Sequence, residues 1–196
     1  VSGAAVAKAA RAFRANVLEG GGEKDKQQGR VRLRSRKLDP DGGQGDAYGT
    51  YAFGCQVADV TVDTTTGAVT VDRVVAAHDV GKAINPAMVE GQVIGGVAMG
   101  LGFALHEEHP IRQGEPQSRN LDTYRLPTAS DVPPVEVVLI EDPDPNGPFG
   151  ARGIGEPAMF PTAPAIANAI DDAVGVRVRH LPVRSEDVYR GLSKQQ

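Results

Sequence analysis

The chain is poor in the residue types that define several functional classes. A single cysteine, Cys55, among 196 residues excludes an internal disulfide and a multi-cysteine zinc or iron–sulfur site built by this chain alone. Its place inside an apolar strand pattern predicts a buried packing role. Unbroken apolar runs stay short of the roughly 18 residues of a membrane span, and no secretory leader opens the chain. Both point to a cytoplasmic address and away from a membrane partner. Basic charge is not in excess: a net charge of -4 and a pI near 5.6 give no electrostatic footprint for nucleic acid. The local run Arg30, Arg32, Arg34, Arg36 and Lys37 reads as the solvated or interface face of a short strand near Val31 to Arg36. The first residue is Val1, not Met, which predicts a piece of a longer protein or a processed product.

What is present is a mixture of helical and strand patterns without repeats. Gly3 to Glu19, with Val6, Ala10, Phe13 and Val17 at helical spacing, predicts an amphipathic helix that ends at Gly20-Gly21-Gly22. Leu38 to Tyr48 predicts an exposed connection. Tyr51 to Val62 and Val69 to Val80 flank Asp63-Thr64-Thr65-Thr66-Gly67 and predict a hairpin. After Pro86, Ala87 to Leu105 predicts a helix despite Gly91, Gly95, Gly96, Gly100 and Gly102, which only tight packing or a ligand would tolerate. Leu121 to Leu126 predicts an extended segment and Val135 to Ile140 a strand. Pro161 to Ala173 predicts a helix closed by Gly175, Arg177 to Leu181 a last strand, and Ser185 the N-cap of a final helix. The fold class is α+β, with mixed sheets and packed helices. Residues 1–50 form an N-terminal helix, short strand and loop, and residues 51–196 a subdomain not separable from them.

Three stretches bear on chemistry. Gly91-Gln92-Val93-Ile94-Gly95-Gly96 can bring backbone and one side-chain amide against a phosphate or heterocycle, but it matches neither a dinucleotide fingerprint nor a Walker A loop. Close helix packing explains it as well. His106-Glu107-Glu108-His109 fails the H-E-x-x-H test, because its histidines are three apart and Pro110 ends the helix. It reads as a solvated helix end. His78 is either a core histidine or a pocket-lining group. In Pro148-Phe149-Gly150-Ala151-Arg152-Gly153-Ile154-Gly155-Glu156-Pro157, one carboxylate projects from a glycine-rich loop held by Pro157, the way a positioned general base is displayed. A plain turn with a solvated glutamate has the same pattern.

Taken together and in order, YAFGCQVADVTVDTTTGAVTV, HDVGKAINPAMVEGQVIGGVAMGLGFALHEE, NLDTYRLPTASDVPP and PFGARGIGEPAMFPTAPAIANAIDDAVG resemble the C-terminal part of the molybdenum-binding subunit of the xanthine oxidase and aldehyde oxidase hydroxylases. The resemblance covers nearly everything from Tyr51 onward. It implies the C-terminal portion of a molybdopterin-binding domain, in an oxidoreductase that hydroxylates an aldehyde or N-heterocycle with water-derived oxygen. Glu156 matches the family's general base. Gln92, with Gly91, Gly95 and Gly96, matches the pterin-contacting segment, and Asp79 and Asn85 match the segment near the cofactor's dinucleotide end. Arg152, Gly153 and Gly155 would line the molybdenum side through backbone groups, with no protein ligand to the metal itself. The resemblance further implies molybdopterin in its cytosine dinucleotide form, iron–sulfur clusters and FAD on partner subunits, and the remainder of the molybdenum subunit as the opposite wall of the site. Met99 stands where many relatives carry glutamine. The alternative is a non-catalytic scaffold that only pairs with a cofactor-binding chain.

Overall fold

The computed structural model describes residues 2–19, 27–31, 38–45 and 48–194. Apart from Val31, the strand predicted over Val31 to Arg36 lies outside the described residues. The chain divides into two compact units, one of Val1–Ala52, Val80–Ile84 and Glu141–Gly153, the other of Phe53–Asp79, Asn85–Ile140 and Ile154–Gln196.

In the first unit, α1 (Ser2–Leu18) runs as predicted. Residues 27–31 return along it, and Gly29 comes so close that a Cβ there would stand 2.1 Å from the Ala5 carbonyl oxygen. Val6, Phe13 and Val17, the expected apolar stripe, are all exposed. The other two segments are laced together by backbone bonds from Lys82 N to Gly150 O and from Arg152 N to Val80 O, each 2.8 Å. Beside them Arg152 ion-pairs with Asp144 at 3.7 Å and Asp142 at 3.5 Å and donates to the Tyr51 carbonyl at 3.1 Å. Asp144 also accepts from Thr50 and from Asn146 N, and these donors hold its carboxyl below the usual carboxylate range.

The second unit is built on a three-stranded sheet with β1 (Phe53–Val62) at one edge, β2 (Val69–Asp79) in the centre and the strand Val135–Ile140 at the other edge. The predicted hairpin forms as β1 (Phe53–Val62) and β2 (Val69–Asp79), antiparallel with a bulge between Asp59 and Val60. The chain then crosses through α2 (Pro86–Leu101) and a π-helical turn, Gly102–His106, before β5 (Val135–Ile140) pairs parallel to β2. Between them lies a small hairpin of β3 (Ile111–Arg112) and β4 (Glu115–Pro116). The chain closes with α3 (Thr162–Val174), capped by Gly175 at φ +70°, and α4 (Ser185–Ser193).

Strand parity decides what is buried. Gln56 and Ala58 of β1 face inward beside Val74, Ala76 and His78 of β2, under Val93, Val97 and Leu101 of α2 and Ile166 and Ile170 of α3. Cys55, one residue from Gln56, therefore falls on the outer face with Phe53 and Val57 and is exposed, against the predicted packing role. By length and composition, Pro86–His106 is apolar enough to match a membrane span, which a search for unbroken apolar runs overlooks. Its face of Val93, Gly96, Val97, Gly100 and Leu101 is buried in this unit's core.

Three local expectations are corrected. Leu121 to Leu126 is not extended at its start: the Asn120 carbonyl accepts from Thr123 N and Tyr124 N, which closes a turn. Arg177 to Leu181 forms no strand, although Val178 packs against the core. Arg184, with extended backbone, occupies the N-cap that Ser185 was expected to fill, without a side-chain cap bond.

The turn after β1 is tied by one carboxylate. Asp63 accepts from Thr65 N, Thr65 Oγ1 and Thr66 Oγ1 at 2.7–2.8 Å, and these bonds lower its pKa from 3.8 to about 2. A lowered carboxyl pKa stabilises the fold above the unfolded value and loses that contribution as the pH falls through about 2. Asp63→Ala should be less stable than wild type to urea at pH 7, with the difference shrinking as the pH falls below about 4.

Candidate functional site

The second unit brings one set of predicted residues together through glycine. A Cβ at Gly96 would lie 2.6 Å from Ala158 Cβ, and one at Gly100 would lie 2.5 Å from Thr162 Cβ. The bare backbone of α2 is thus the bed on which residues 158–162 rest. Gly91 and Gly95, by contrast, are exposed and open, with nothing within 4 Å of a Cβ. The glycine set divides into packing positions and an uncovered shelf.

Gln92 stands on that shelf between Gly91 and Gly95. Its Nε2 donates to the Gly155 carbonyl oxygen at 2.6 Å, joining α2 to the residue before Glu156. One amide hydrogen and the side-chain oxygen remain for another partner. Glu156 is exposed, its carboxylate bonded to none of the described residues, and its carbonyl oxygen accepts from Met159 N at 3.0 Å. The desolvation expected around a general base is not supplied by this unit.

Against Ala158 lies a buried polar cluster in which sequence reasoning missed Gln56 and Thr162. Gln56 Nε2 donates to the Ala158 carbonyl at 2.7 Å and lies 3.3 Å from His78 Nε2, while Thr162 Oγ1 donates to Gln56 Oε1 at 2.7 Å. His78 is fully buried and fits because Gly54 opposite it has no side chain: a Cβ there would stand 2.4 Å from Nδ1. The core reading of His78 is the one observed. Burial pushes its pKa below 6.5.

The remaining predicted residues have other surroundings. Asn85 caps α2, its Oδ1 accepting from Met88 N at 3.2 Å. With Pro86 lacking an N–H, little of that helix terminus is left to bind an anion. Asp79 ends β2 and is buried. Arg152 and Gly153 belong to the first unit, where the Arg152 amide and guanidinium are engaged as described above. Among the described residues, no group of three or more histidine, cysteine, aspartate or glutamate side chains could hold a metal. Glu107 accepts from Tyr124 OH, which raises the phenol's pKa, and Glu108 pairs with Arg184. Both carboxylates of the His106–His109 stretch thus have partners, while His109 is exposed as a solvated helix end would be.

Comparison with known proteins gives this geometry its context. Residues 2–133 match the model of the molybdopterin cofactor-binding domain. The putative xanthine dehydrogenase molybdenum-binding subunit of Escherichia coli (strain K12) is 41% identical over 140 residues, 70% of this chain and 19% of that subunit. The aldehyde oxidoreductase structure from Desulfovibrio gigas superposes with a TM-score of 0.81 at 32% identity, covering 91% of this chain and 20% of that one. Quinoline 2-oxidoreductase from Pseudomonas putida 86 gives a TM-score of 0.65 at 34% identity, over 69% of this chain and 18% of that one. The chain belongs to the molybdopterin cofactor-binding domain family of the xanthine dehydrogenase and aldehyde oxidoreductase type, and its mixed helix and strand fold is theirs. It spans about a fifth of the length of these relatives.

Two predictions follow from the packing. Gly96→Ala should destabilise the protein by about 1–3 kcal/mol through overpacking, whereas Gly91→Ala and Gly95→Ala, on the open face, should raise helix stability by up to about 1 kcal/mol; thermal melts separate the two groups. A base whose folded pKa is lowered takes up its proton more readily in the unfolded chain, so the His78 contribution is complete above about pH 6.5 and declines as the pH falls below it. Urea titrations of wild type should show this decline, and His78→Leu should show a shallower one.

Proposed function

We propose that this chain completes the molybdopterin site of a molybdenum hydroxylase, with Glu156 as the general base. The observation that carries the reading is the Gln92 bond to the Gly155 carbonyl, which sets an amide-bearing glycine shelf next to an unpaired carboxylate. The residues fit the cofactor on this structure's own terms. Gly91 and Gly95 leave room for a flat ring system to approach the helix backbone, and Gln92 keeps a free donor and acceptor for a heterocycle. Asp79 and Asn85 would lie toward the dinucleotide end of a cytosine dinucleotide form, with Gly96 and Gly155 holding the shelf and loop together and Arg152 and Gly153 continuing the loop.

When bound, the molybdopterin group supplies the redox metal that takes up the electron pair from the substrate. Glu156 accepts a proton from the water-derived oxygen that becomes the hydroxyl of the product, a role suited to a carboxylate once the opposite wall excludes solvent. Gln92 orients the pterin against the shelf. The remainder of the molybdenum subunit would supply that wall and select the substrate, an aldehyde or N-heterocycle. Iron–sulfur and FAD subunits would receive the electrons.

In the assembled enzyme, Glu156→Gln should keep its molybdenum content and lose turnover by roughly 10²–10⁴-fold, the range of a lost general base. Metal analysis with aldehyde and N-heterocycle assays checks both halves. Undiminished turnover would remove Glu156 from the reaction and leave a scaffold role.

A further inference from the structure

We propose that Gln56 is a positioning residue for Glu156, acting from the core on the loop that carries it; this rests on Glu156 being the base. Gln56 lies in the inward row of β1, opposite Ala76 and 8% exposed. Burying an amide costs free energy unless every polar group finds a partner, and an apolar residue would fill the same place without that demand. Here the demand is met by Ala158 of the loop and by Thr162 at the start of α3. The Thr162 hydroxyl donates to Oε1, and Nε2 donates to the Ala158 carbonyl. The amide has one orientation, since a flip would set its oxygen against the Ala158 oxygen. His78 Nε2 lies 3.3 Å from the amide nitrogen, within reach of its second hydrogen.

The consequence for Glu156 lies in the order of the contacts along the chain. Gln92 holds the carbonyl of residue 155 from the α2 side, and Gln56 holds the carbonyl of residue 158 from the sheet side. Glu156 sits between these two points, and the bond from Met159 N to its own carbonyl closes the turn. A short segment fixed at both ends by side-chain amides has few ways to reorient its carboxylate. Loss of the inner bond leaves that end held by the packing of Ala158 against Gly96 alone, while the exposed Gln92 bond remains. A displacement of about 1 Å of a reacting group can lower the rate by about a hundredfold.

The test is a double-mutant cycle in the assembled molybdenum enzyme with Gln56→Met, which keeps the unbranched shape, and Glu156→Gln. Gln56→Met should lower kcat about tenfold to a hundredfold, with KM within about twofold and molybdenum content unchanged. Hydrogen exchange at the Met159 amide should be faster. In the Glu156→Gln background the same substitution should leave kcat where it was, because it acts only through that carboxylate. An equal fall in kcat in both backgrounds would overturn the inference, as would unchanged kcat and exchange in Gln56→Met alone. Should Gln56→Met not fold, Thr162→Val removes one bond of the cluster, and the same pattern at smaller amplitude is expected. Full turnover of the Glu156→Gln single variant would instead overturn the base assignment, a separate result from the failure of the cycle.

Discussion

The close approach of α2 to residues 158–162 is the constraint on which the rest of the second unit depends. It exists because Gly96 and Gly100 have no side chains, so that Ala158 and Thr162 rest against bare helix backbone. Glycine in a helix interior costs about 1 kcal/mol relative to alanine. The return is a helix and a loop near enough for Gln92 to bond the carbonyl before Glu156. The same contact sets Ala158 and Thr162 over Gln56, so the sheet, the helix and the loop share one polar connection at their centre.

Several apolar surfaces stay uncovered within each unit. The stripe of α1 is exposed, and so is the outer sheet row of Phe53, Val57, Val138 and Ile140. On α2, Met88, Met99 and Phe103 of the segment that follows are exposed as well. A chain a fifth as long as its relatives has such surfaces when further polypeptide completes them. That fits the proposal that this chain provides one wall of a shared site, with an open shelf and an exposed base.

Much of the architecture was legible in the sequence where a pattern had a local cause. The β-branched runs around Asp63–Gly67 gave the hairpin, and Gly175 marked the end of α3 through its left-handed backbone. Pro86 marked the first turn of α2, whereas the cap that Asn85 supplies there was not foreseen. Other readings failed where tertiary partners decide. Cys55 was assigned to the core because its neighbours are apolar, yet a single step of parity turns it outward. Val176 and Val178 alternate like a strand, but no neighbouring strand bonds their backbone.

In the site, the glycine spacing and Gln92 were visible as a pattern, and the division between packing glycines and open ones was not. That division depends on which residues return over the helix, more than fifty positions later in the chain. Gln56 was silent, since one amide in a strand shows no motif, and His78 stood out as a core or pocket histidine without a sign of its neighbour. Only the register of β1 on β2 sets them side by side under Ala158. A signal existed in principle: a glutamine at an inward strand position implies a buried partner.

The most direct measurement is a crystal structure of the assembled molybdenum subunit, this chain included, with its cofactor bound. We expect the pterin against Gly91 and Gly95, the free edge of the Gln92 amide bonded to it, and the Glu156 carboxylate facing the molybdenum. A cofactor bound away from α2, or Glu156 turned into solvent while the site is full, would contradict the central claim.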